Sequence, residues 1–146
     1  MRDVQSDLSL LVTSAQLVHI GFHEISAKRA AIVLPTEGKV TVAPTWSIEV
    51  QGSERQFRVV IGTSISTPVG AITTTSFAEY TVSDEAPELT ERLLAEYVNE
   101  VAVMQLMPFI RQAVADVTQR VFGSPLLLPI QQRGQLRFEV ANRDEG

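Results

Sequence analysis

The residues best able to do chemistry in this sequence are His19 and His23, four positions apart and followed directly by Glu24. On a helix that spacing presents two imidazoles to one metal ion. On a strand it separates them by about 13 Å, too far to share one. Val18, Ile20 and Phe22 alternate against His19, Gly21 and His23, which is the strand period. The pair therefore reads as two solvent-facing side chains, and no metal site is expected. Glu24, Glu49 and Glu79 fall in strand-like stretches, and only Glu24 shares the parity of its strand's apolar residues. Such spacing defines no acid–base pair, and solvated faces account for the carboxylates. With no cysteine, thiolate catalysis, disulfides, thiolate zinc sites and cysteine-held clusters are excluded. There is no Gly-x-Ser-x-Gly elbow, phosphate-cradling glycine loop or His-Glu-x-x-His helix. No catalytic residue and no cofactor is expected, and the chain reads as a non-enzyme.

Charge narrows the partners. Twelve Lys and Arg stand against seventeen Asp and Glu, for a net charge of -5, whereas nucleic-acid binding needs a basic face. No apolar run reaches the ~18 residues of a membrane span, so no membrane insertion is expected. The start carries no basic, apolar leader pattern, and the cytoplasm is the expected location. The 146 residues, 45% of them apolar, suit one domain over residues 1–146, with 1–13 and 141–146 expected to be flexible.

The elements that must carry these side chains divide the chain in two. Four strands are expected: about Ala15 to Ala27, Lys39 to Gln51, a stretch holding Phe57, Val59, Ile61 and Ile65, and Ile72 to Val82. In the second, Val40, Val42, Trp46, Ile48 and Val50 share one parity, with Thr45, Ser47 and Glu49 opposite. Short links favour antiparallel pairing. Near Ser83 the period changes, and Ser83-Asp84-Glu85-Ala86-Pro87 has the composition of a helix start. Leu89, Leu93, Tyr97, Val101 and Met104 then recur at helical spacing. Pro108 is expected to kink or break this helix, and Gly123 to cap it. Beyond lies Leu126-Leu127-Leu128-Pro129-Ile130, large apolar residues on backbone that prolines keep out of a regular sheet. It must be covered by core, a subunit or a ligand. The expected fold class is α+β, two-layer: a four-stranded antiparallel sheet, a long kinked helix and a short C-terminal element around Leu136 to Val140.

Several stretches resemble the SecB export chaperones. The order of four strands, long helix and apolar proline-rich loop matches across nearly the whole chain. Met107-Pro108-Phe109-Ile110-Arg111 is similar to that family's apolar-Pro-aromatic-x-Arg element. Val121-Phe122-Gly123 with Leu126-Leu127-Leu128-Pro129-Ile130 resembles its helix end and leucine-proline loop, and Pro44 with Trp46, Ile48 and Val50 resembles its second strand. The resemblance implies an ATP-independent holdase that grips unfolded polypeptides or preproteins, assembled as a dimer of dimers. It carries client contact to Trp46, Ile48, Val50, Leu127 and Ile130, and the oligomer interface to Met107 and Phe109. Docking of the SecA motor would fall to Glu24, although the companion position lies near Lys28 and the fourth strand offers threonines. An antitoxin is the other partner the resemblance implies. A second reading, a small-ligand-binding or enzymatic α+β domain, places a pocket near Trp46, His19 and His23.

Overall fold

The computed structural model describes residues 4–31 and 44–128. The short C-terminal element expected around Leu136 to Val140, and Ile130, lie outside the described residues. The chain runs through helix α1 (Val4–Ser14), strands β1 (Ala15–Arg29), β2 (Thr45–Gly52), β3 (Gln56–Thr67) and β4 (Gly70–Val82), helix α2 (Glu91–Tyr97), a π-helical turn (Val98–Ala102) and helix α3 (Val103–Phe122). All strand pairs are antiparallel, in the order β1-β4-β3-β2. The α+β sheet-plus-long-helix architecture thus follows the sequence reading.

Alternation explains one buried face. Phe57, Val59, Ile61 and Ile65 of β3 and Ile72, Ala78, Tyr80 and Val82 of β4 are all nearly inaccessible. They meet Val98, Leu106, Ile110 and Val114 of the helical layer in one core, the burial of each Val, Leu, Ile or Phe side chain contributing roughly 1.5–3 kcal/mol. Helix α3 lies over β1 and β4 and runs antiparallel to β4. At its start Gln105 accepts a 2.5 Å hydrogen bond from the Tyr80 hydroxyl, and at its end Phe122 reaches Gly70. Phe57, Tyr80 and Tyr97 stack and cross at centroid distances of 4.7–5.3 Å. Burial pushes the Tyr97 phenol up to about 12 and raises Tyr80 as well, with the Tyr97 charge adding to it.

Four details differ from the sequence reading. The start, expected to be flexible over 1–13, forms α1, whose Leu8 and Leu11 enter the core. The helical third begins at Glu91, not near Ser83; Thr90 is the N-cap, and its hydroxyl accepts from the Leu93 N–H. Pro108 neither breaks nor ends the helix, because it and Met104, whose carbonyl it leaves without a donor, both face solvent. The irregular backbone falls instead at Val98–Ala102. Lastly, the helical run Glu91–Phe122 is, at 32 residues, long and apolar enough by length and composition to cross a bilayer, and 61% of its most apolar window is buried inside the fold, as in a core helix.

The β3–β4 hairpin turns at Gly70, where φ is 154° and an added Cβ would stand 2.1 Å from the Lys28 carbonyl oxygen and 2.8 Å from the Phe122 ring. Backbone cannot yield as a side chain can. Gly70→Ala is therefore expected to cost about 2–3 kcal/mol, read as a lower urea midpoint at unchanged slope. An unchanged midpoint would show that the β1 end moves aside freely.

Candidate binding site

β2 pairs only with β3 among the described residues, so one side of its backbone is an edge. Its residues alternate between half-buried Trp46, Ile48 and Val50 and exposed Thr45, Ser47, Glu49 and Gln51. Register places Trp46 beside Thr63, Ile48 beside Ile61 and Val50 beside Val59. The half-buried row is therefore the outermost row of the helix-side face. It packs on the core from one side and keeps the other open, as the alternation predicts.

The leucine-rich segment is fastened to α3 by two polar contacts. The Thr118 hydroxyl accepts from the Leu126 N–H at 2.7 Å, and Arg111 Nε donates to the Leu128 carbonyl at 3.2 Å. Gly123, left-handed at φ 87°, turns the chain back to allow this. Leu128 is buried in the same core on which Trp46, Ile48 and Val50 pack, whereas Leu127 is 74% exposed. Leu127 thus projects from an anchored backbone. The anchoring roles of Arg111 and Thr118 were missed from the sequence; a threonine late in an amphipathic helix gives no signal that a loop amide will return to it.

The helix residues separate. Met107 is 3% exposed and belongs to the subunit's own core, so it has almost no surface to offer a second subunit. Phe109 is 46% exposed and Met104 37%. With Pro108 they form an exposed apolar patch on α3, on the side away from the buried stripe of Leu106, Ile110 and Val114.

Across the sheet, the face away from the helices carries a different cluster. β1 has register shifts between Leu17 and His19 and between Phe22 and Glu24, so Val18 and His23 are extra residues in bulges. The bulges correct the parity read from sequence. Leu17 rather than Val18 shares the inner face, and Glu24, paired with Thr75, turns to the open face, where it accepts a hydrogen bond from the Ser26 hydroxyl at 3.4 Å. Phe77 lies on that open face yet is only 8% exposed. Its ring covers Gly21, where an added Cβ would stand 2.8 Å from Cζ. His19 meets the ring edge-on at 5.2 Å and His23 stacks at 4.5 Å. Arg58 sits 5.0 Å from the centroid and pairs with Glu79 at 2.5 Å.

The histidines are thus on the opposite edge strand and the opposite face from Trp46, with β4 and β3 between. The pocket imagined near Trp46, His19 and His23 does not form. Among the described residues no group of three or more His, Asp or Glu could hold a metal ion.

No family model and no curated protein sequence matches this chain. Among solved structures it is similar to the SecB-like chaperone Rv1957 of Mycobacterium tuberculosis, in complex with a ChAD peptide from the HigA1 antitoxin. The two share 22% identity at a TM-score of 0.73, over 89% of this chain and 96% of that one. A protein of unknown function from Streptococcus agalactiae follows, at 8% identity and a TM-score of 0.48, over 80% of this chain and 97% of its own. The fold is that of the SecB-like chaperone.

Proposed function

We propose that this protein is a chaperone of the holdase kind, acting without ATP, that binds unfolded polypeptide segments along the row Trp46, Ile48 and Val50, with Leu127 adding contact from its anchored loop. The observation that carries the reading is the half-open apolar row at a strand edge that pairs with nothing beyond β3 among the described residues. Such a row offers apolar pockets without demanding a sequence, and the edge offers main-chain pairing to an extended client. The peptide held by the similar M. tuberculosis chaperone supports a polypeptide as occupant. An antitoxin-like or preprotein segment is the client, the cytoplasm the compartment, and Ile130 a further contact. The subunits assemble as a homo-oligomer, a dimer of dimers, through the outer stripe of α3 that contains Phe109. SecA docking falls to Glu24 on the open sheet face, the same face that carries Lys28 and, further along, the Arg58–Glu79 pair.

Light scattering of an aggregating unfolded protein tests the reading. Substoichiometric amounts of the chain are expected to suppress aggregation with no nucleotide present. Unaltered aggregation, together with no binding of the unfolded protein, would overturn it.

A further inference from the structure

Four residues form one transverse row on the helix-side face: Ile25, Thr74, Thr63 and Trp46, in register across all four strands. The rows on either side are almost wholly apolar, and Ser76 in one of them gives its hydroxyl to the Ile61 carbonyl at 3.2 Å. Thr63 and Thr74 have no such outlet. They are 2% and 0% exposed, and neither hydroxyl has a hydrogen-bond partner among the described residues. A buried hydroxyl left unpaired is destabilising, and valine would fill the same space without that penalty. Two such groups side by side, Thr63 directly across from Trp46 and Thr74 next beyond it, are a cost in stability that a binding role explains.

We propose that the Thr63–Thr74 pair is a polar subsite of the client groove, reached past Trp46, which takes a neutral hydrogen-bonding side chain of the bound segment, the carboxamide of asparagine or glutamine. This rests on the client-groove reading above and names what the groove selects. Residues opposite each other on antiparallel strands stand about 4.5–5.5 Å apart, so one planar carboxamide reaches both hydroxyls. It supplies an acceptor and two donors to two groups that each donate and accept. A carboxylate or ammonium would have to bury a charge with no counter-charge in the row. A purely apolar side chain would leave both hydroxyls unpaired. Of the two edge members of the row, Ile25 on β1 and Trp46 on β2, Trp46 is the one that borders the client row, and its half-burial leaves it room to move aside.

The test uses the full chain, its Thr63→Val/Thr74→Val variant and its Thr63→Ser/Thr74→Ser variant. The probes are two fluorescein-labelled twelve-residue apolar peptides that differ only in a central Gln or Leu. Thermal melts come first: without peptide, the valine pair is expected to raise the melting temperature by about 3 °C or more. A lowered melting temperature would show that the hydroxyls are already satisfied within the chain, and would overturn the subsite. In fluorescence anisotropy, the Gln peptide is expected to lose about tenfold in affinity relative to the Leu peptide on going to the valine pair, and the serine pair to retain the native preference. A Gln-to-Leu ratio unchanged in the valine pair, with both peptides bound, overturns the subsite and leaves the groove standing. Failure of either peptide to bind any of the three proteins overturns the groove reading and the subsite with it.

Discussion

Phe109→Glu is expected to split the proposed homo-oligomer, shifting the solution mass at micromolar concentration to that of a smaller species, down to the 16.0 kDa subunit. The helix α3 has two apolar sides. One, with Leu106, Ile110 and Val114, is consumed by the subunit's own sheet. The other, with Met104 and Phe109, is 37% and 46% exposed at those positions. A helix apolar on both sides needs cover on both. In a two-fold interface each residue occurs twice, so one substitution places two carboxylates in the contact. An uncompensated buried charge costs about 3–5 kcal/mol, enough for a marginal interface to fail. Folding is not threatened, since Phe109 makes no part of the core. Phe109→Leu, which keeps the apolar surface, is expected to leave the mass unaltered. A glutamate variant of unchanged mass in analytical ultracentrifugation would show that this stripe is not the subunit contact.

What the sequence disclosed and what it hid have separate physical causes. Trp46, Ile48 and Val50 were legible because an edge strand with one face on a core must alternate. Gly123 was legible because the left-handed cap favours glycine. The bulges at Val18 and His23 were not, since an extra residue leaves no mark in composition and yet reverses every side chain after it. That is why Glu24 was assigned the apolar parity and faces the other way. Helix α1 is short and contains serine, threonine and valine, weak helix formers. It stands on Leu8 and Leu11 entering the core, a tertiary effect invisible locally. Ser83 and Thr90 both qualify as caps by type, and only the Thr90–Leu93 bond separates them. Met107 and Phe109 stand two positions apart in an apolar run, and their opposite fates depend on which side of α3 meets the sheet. The unpaired hydroxyls of Thr63 and Thr74 were beyond reach, because threonine is an ordinary strand residue until its neighbours are known.

Trp46→Ala is expected to weaken binding of an unfolded polypeptide by about 30-fold or more, as for a buried aromatic anchor at the centre of a contact. Trp46 is the largest side chain of the open row, and no smaller residue reproduces its reach over Thr63. Its half-burial limits the penalty to folding to about 1–2 kcal/mol, which separates lost binding from lost structure. Trp46→Phe keeps an aromatic surface and is expected to retain most of the affinity. Glu49→Lys alters the same strand on its exposed side and is expected to leave binding within a few-fold of native. Since Trp46 is the sole tryptophan, its own emission provides an independent readout. Exclusion of water by a bound segment is expected to shift that emission to shorter wavelength, saturating with the binding curve. Affinity lost in Trp46→Ala without a spectral change in the native protein would mean that the ring supports the strand and does not touch the client. A spectral change with affinity retained would make Trp46 a bystander, and the contact would then fall to Ile48, Val50 and Leu127.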